Sequence, residues 1–239
     1  MEDLNLNPVE LSANFEGNDS LLFFERIQHP VIKAQLLKLI QRYGVEKDMG
    51  KIEQEFEASL ANAQNHTNIN FENKGPNAST IPIGLVSSSS GQKATEKQMS
   101  IIEAHEKGHL LRPYRGTMYR NYFSAGFDAY GLEPSEEDIE LCVARKKAEG
   151  KKVPEDKEEI KEQVLEYVFG GEEIAERMSQ LKNYFGMRGE EVFTKDHLEY
   201  ARKHYVEDVG FGGHMGLLLR AVTPAAEAEF LRLINTSGI

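Results

Sequence analysis

The stretch IIEAHEKGHLLRP, residues 101–113, constrains the chain more than any other. Its two histidines, His105 and His109, are four residues apart, so on a helix they share one face and can aim both imidazoles at a common atom. Thr95 is placed to cap such a helix, with Gln98 at the matching position of a capping box, and Pro113 stops it. Ile101 and Ile102 lie beside the histidine face, while Ala104 and Leu111 cover the far side. A helix apolar on both sides is packed within a protein, which is where a polar site excludes bulk water. Whatever the fold, it must bury this helix between two layers with two imidazoles and a carboxylate inside.

Buried imidazoles at this spacing suit a metal ion. Zinc accepts histidine nitrogens and, where it is catalytic, takes three protein ligands and keeps a fourth position open. Glu106 lies about 100° around the helix from His105. It is close enough to reach a metal-activated water as general base, take its proton and deliver it to a leaving amine. The plainer alternative is a core helix that carries two structural histidines.

Through HEKGH the chain resembles the zincin group of zinc-dependent metallopeptidases. The resemblance implies His105 and His109 as zinc ligands, Glu106 as catalytic base, and a protein or peptide substrate. It also implies a third ligand, by which the subtypes differ. One subtype needs glycine and histidine where this chain has Arg112 and Arg115; another needs aspartate where GTMY has Tyr119. The glutamate-ligand, or gluzincin, type remains, and GGEEIAERMSQLKNYFG, residues 170–186, resembles its glutamate-bearing helix. Ile174, Ala175, Met178, Leu181 and Phe185 form the apolar stripe of that helix. Glu173 lies near the edge of the stripe, on a side shared with Arg177 and Tyr184, and is the preferred ligand. Glu172 points more nearly away, with Glu176. An alignment with Glu172 as ligand and Glu176 as acceptor for a ligand histidine stays open. So does Asp128 in AGFDAYG, and so does a reading in which the three glutamates only complement the helix dipole. For a further donor to a developing oxyanion, Arg112, Tyr114, Arg115, His204, Tyr205 and His214 are of suitable type, with His214 expected in a glycine-rich loop, DVGFGGHMG.

Helical periodicity recurs along the chain. It predicts a helix after Pro30 ending near Gly44, another over KDMGKIEQEFEASLANAQNH, and one over TKDHLEYARKHYVEDVG capped by Thr194. A short terminal helix is expected with Thr223 as cap and Pro224 at its first position. TIPIGLVSSSSGQ, residues 80–92, is the best strand candidate. The expected fold is therefore α+β, mainly helical and zincin-like, with a small sheet next to the HEKGH helix. An edge strand there could hold an extended peptide. Residues 1–75 read as an N-terminal helical arm or subdomain, in the position of a segment that blocks a latent precursor. Residues 76–239 read as the metallopeptidase domain, with a charged helical insertion at about 135–166.

Charge narrows the partners. With 39 acidic against 28 basic residues and a net charge of −11, the chain lacks the basic face that nucleic acid or an anionic membrane demands. The single cysteine, Cys142, excludes an internal disulfide. No apolar run approaches the roughly 20 residues of a membrane span, and the acidic start is unlike a signal peptide. A cytoplasmic protein is expected, with virion association as the variant. The rival to a peptidase is a non-catalytic structural or virion/scaffold protein that keeps the site.

Overall fold

The computed structural model describes residues 19–43, 48–65, 95–109, 111, 134–148, 150–210, 213–236 and 238–239. Among them are ten helices: α1 Asp19–Gln28, α2 Pro30–Tyr43, α3 Met49–Asn65, α4 Glu96–His109, α5 Glu136–Ala148, α6 Lys157–Val168, α7 Gly171–Tyr184, α8 Lys195–Val209, α9 Gly213–Ala221 and α10 Glu227–Ile234. None is long and apolar enough to cross a membrane.

Local chemistry sets several boundaries. At α4 the capping box is present: the Gln98 N–H donates to Thr95 Oγ1 at 3.2 Å, and the Thr95 N–H donates to Gln98 Oε1 at 2.8 Å. The Gln98 amide also donates to the Val209 carbonyl at 3.1 Å, which ties the start of α4 to the end of α8. Thr194 caps α8 with His197 as its reciprocal partner. The terminal helix begins later than expected, at Glu227 rather than Pro224. The Ala226 N–H donates to the Thr223 carbonyl at 2.9 Å, so residues 223–226 close a turn instead of opening the helix.

Helix α7 is the axis of the packing, with α1, α4, α6 and α10 laid against it. Ile174, Ala175, Met178 and Leu181 are at most 1% exposed. Wrapping on several sides also buries its polar residues, among them Glu173, Glu176, Arg177 and Lys182. Phe23, Ile27, Leu36, Ile52 and Phe56 from the first three helices share one buried cluster with Ile101, Leu111 and Met178. The charged stretch forms the helical pair α5–α6 with a small core of its own, in which Cys142 is buried beside Ile139, Ile160, Val164 and Leu217. Aspartate 138 closes the start of α5, accepting from the Ser135 N–H at 2.8 Å and hydroxyl at 2.7 Å.

The expected α+β fold is corrected in one respect. Every regular element among the described residues is a helix, with no strand among them, and the helix carrying HEKGH is flanked by α1, α7 and α3 rather than by a sheet. A helix apolar on two sides needs two covering layers, and helices supply them as well as strands do. The strand candidate 80–92 lies outside the described residues, and a short apolar run cannot by itself decide between strand and buried helix. The peptide-holding edge strand beside α4 falls with the sheet.

Candidate metal centre

The centre is built where α4 and α7 cross. The sequence Ile101–Ile102 and Ala104 anchors α4 in the core at 3–4% exposure, which turns His105 and His109 toward α7. From α7, Glu173 reaches back to both. His105 Nε2 lies 3.4 Å from Glu173 Oε2, and His109 Nε2 lies 3.4 Å from Glu173 Oε1. The two Nε2 atoms are 3.1 Å apart, with the rings edge to face. All three side chains are buried, at 7%, 9% and 8% exposure.

These separations can be compared with what a metal requires. With ligand bonds of about 2.0–2.1 Å and tetrahedral angles, donors of one zinc ion lie about 3.3 Å apart. The two Nε2 atoms, 3.1 Å apart, meet that value, and each lies 3.4 Å from a different oxygen of Glu173; taken as one ligand atom each, the three groups lie within 4.8 Å of one another. His105, His109 and Glu173 form a group that could hold a metal ion. Two neutral imidazoles and one carboxylate are a donor set that suits zinc among several divalent ions.

Close approach of the two helices depends on Gly108. A Cβ at that position would sit 1.9 Å from Glu176 Oε2 and 2.5 Å from Glu176 Cδ. Glycine therefore leaves the space that the Glu176 carboxylate occupies, and Glu176 is only 3% exposed. The sequence placed Glu176 on the outward side of α7; the encircling of α7 by other helices is what buries it.

Electrostatics around the centre are tightly coupled. Arg177, one turn beyond Glu173, pairs with Glu173 Oε2 at 3.1 Å and donates to the Val168 carbonyl at 3.3 Å. Its guanidinium also lies 5.4 Å from the centre of the Tyr167 ring. Burial pushes the Glu173 carboxyl up, but the charge of Arg177 and hydrogen bonds from His105 and His109 outweigh it and hold the carboxyl well below its usual range. Burial pulls His105 down, yet the hydrogen bond and charge of Glu173 leave its pKa raised. Glu106 is 4% exposed, and its charge also favours the protonated form of His105.

Of the candidate ligands, the structure brings His105, His109 and Glu173 together. Asp128 lies outside the described residues, as do Arg112, Tyr114, Arg115, Tyr119 and the Glu172 side chain. His214 is not in a loop but in the first turn of α9, where Met215, Leu217 and Leu218 bury the helix despite four nearby glycines. Its Nδ1 lies 3.4 Å from Asp138 Oδ1, and its ring packs edge-on against Tyr167 at 5.5 Å. Tyr205 is buried and accepts from the Gln180 amide, while His204 stacks on Tyr200, so neither is drawn to the centre by these contacts. Sequence reasoning did not assign a role to Arg177, although its i+4 spacing from Glu173 is the signal for an ion pair.

Comparison with family models, with curated proteins and with solved structures finds no match to this chain.

Proposed function

We propose that the chain is a zinc-dependent peptidase, with His105, His109 and Glu173 as metal ligands and Glu106 as general base. The observation that carries the reading is the convergence of three buried donor groups from two helices, with one ligand atom from each within 4.8 Å of the others. The donor set and the adjacent glutamate are those by which the sequence resembles glutamate-type zincins; the helical surroundings are this chain's own. When bound, zinc polarises a scissile carbonyl and makes a water acidic near neutral pH. Glu106 takes the proton of the attacking water and passes it to the leaving nitrogen as the carbon–nitrogen bond breaks. Glu173 and the two histidines fix the ligand geometry, and Arg177 holds the Glu173 carboxylate ionised and in place. A protein or peptide is the substrate of this reading.

One observation favours a second reading. The Arg177–Glu173 ion pair and the contacts of Glu173 to both histidines give a polar cluster with internal charge balance, as a structural or scaffold protein would also need in its core. The two readings separate on Glu106, which a purely structural site does not require. Zinc content and cleavage of a broad peptide library are measured for the wild type and for Glu106→Gln. Zinc retained by both, with cleavage only by the wild type, supports the peptidase. No cleavage by zinc-loaded wild type contradicts it and leaves the structural reading.

A further inference from the structure

A cavity of about 140 Å³ opens between α1, α2, α7, the segment that follows α7 and residues 235, 236, 238 and 239. Two cations sit at it. Arg26, 1% exposed, donates to the Met187 carbonyl at 3.0 Å, to Ser179 Oγ at 3.0 Å, to the Ser179 carbonyl at 3.3 Å and to the Ile239 main-chain oxygen at 3.4 Å. All four bonds end on main-chain or hydroxyl oxygens, none on a side-chain carboxylate. Lys182 is 6% exposed, and no hydrogen bond or ion pair reaches its ammonium from any described residue. A buried ammonium in this state is costly, and nothing in the metal centre uses it.

The wall is as informative as the cations. Glu190 and Glu191 line the cavity and are exposed; Glu191 accepts from the Arg188 N–H, and no described residue pairs with Glu190. Ile32 and Val192 add aliphatic surface, Val192 being 60% exposed. A simple anion would meet the cations but be opposed by the two rim carboxylates. A simple amine would meet the reverse. A molecule with both charges a few ångströms apart answers both ends at once.

We propose that this cavity binds a small zwitterion of the α-amino acid class, with its carboxylate on Lys182 beside Arg26 and its ammonium toward Glu190 and Glu191. The volume sets the size: a cavity of about 150 Å³ accommodates a six-carbon ring, so a ligand of about six heavy atoms fits, with Ile32 and Val192 against its small side chain. Burial, followed by the charge of Arg26, lowers the Lys182 pKa to about 7, so the incoming carboxylate restores a proton to that amine. The inference does not depend on the metal centre.

The test is calorimetric titration of the full chain with L-alanine, and with propionate and ethylamine as the two half-ligands. L-Alanine is expected to bind saturably with one-to-one stoichiometry. Each half-ligand binds at least about tenfold more weakly, because one charge-assisted contact is lost. At pH 8 the L-alanine titration takes up a proton, read as a dependence of the heat on the ionisation enthalpy of the buffer. Lys182→Met, checked for folding by circular dichroism, loses binding, while Glu106→Gln binds as the wild type does. No saturable heat with L-alanine up to about 10 mM overturns the proposal. Propionate binding as tightly as L-alanine overturns it too, as does undiminished binding by folded Lys182→Met. Should Lys182→Met fail to fold, the half-ligand comparison on the wild type decides alone.

Discussion

Substituting Gly108 by alanine tests whether the α4–α7 contact sets the proposed zinc site. The new methyl would lie 1.9 Å from Glu176 Oε2. To reach the 3.4 Å of ordinary contact, the carboxylate must retreat by about 1.5 Å. Glu176 is 3% exposed and has no solvent to retreat into, so part of the strain passes to the helix pair. Overpacking of this kind costs about 1–3 kcal/mol. Metal sites tolerate donor displacements of only about 0.2 Å, far less than the displacement demanded. If most of that strain falls on the liganded geometry, zinc binds about 5- to 150-fold more weakly. The assay is zinc competition against a chelating indicator at pH 7.5, with thermal melting recorded in parallel. Glu176→Ala in the Gly108→Ala background removes the atoms that the methyl meets and is expected to recover most of the lost affinity. Zinc affinity within twofold of wild type in Gly108→Ala would refute the reasoning, and so would a double variant no better than the single one.

Three further outcomes follow from the charges. Zinc must displace the proton of His105, whose pKa is raised, so zinc affinity climbs up to about tenfold per pH unit through and above pH 6.5 and then levels off. In the metal-free protein the sign is opposite: the protonated His105 stabilises the fold fully below the ordinary histidine pKa, and that contribution is lost as pH rises through the raised value. Zinc dissociation constants and metal-free urea midpoints from about pH 5.5 to 8.5, both taken in the Lys182→Met background so that Lys182 adds no opposing slope, check the two signs, and two slopes of the same sign would contradict the His105–Glu173 pairing. Burial alone would raise Asp138, but hydrogen bonds from His214 and Ser135 hold it down at about 2. The stability it adds is present above about pH 3.8 and is lost as pH falls toward 2, so Asp138→Asn costs up to about 2 kcal/mol at neutral pH and flattens the acid limb of the urea profile. Lys182, lowered to about 7, destabilises the fold in its charged form. Wild-type stability therefore rises with pH between about 7 and 10, by at most about 1.4 kcal/mol per unit, and Lys182→Met removes that rise; parallel urea midpoints for the two proteins at pH 7 and 9 would contradict it.

The site was more legible in the sequence than its surroundings. His105 and His109 could be placed on one face because helical spacing is a local property, and the Thr95–Gln98 capping box is equally local. Glu173 could be preferred over Glu172 because the apolar stripe of α7 fixes which way that helix turns. The absence of a sheet among the described residues marks where local pattern stops deciding. Whether α4 is covered by helices or strands depends on partners far away in sequence, and Ile101, Ala104 and Leu111 look the same beside either. His214 falls in a helix instead of a loop for a related reason: four glycines signal a loop locally, while burial of Leu217 and Leu218 against other helices favours a helix. The burial of Glu176, Arg26 and Lys182 was also hidden, since it follows from α7 being surrounded, which no local pattern records.

The most direct test is zinc binding by the wild type and by Glu173→Gln, measured as bound metal per chain after equilibrium dialysis at pH 7.5. The metal-centre account predicts one zinc per wild-type chain and a loss of about 100-fold or more in affinity for Glu173→Gln. A wild-type chain that binds no zinc at neutral pH, or a Glu173→Gln chain that binds it unchanged, would contradict it.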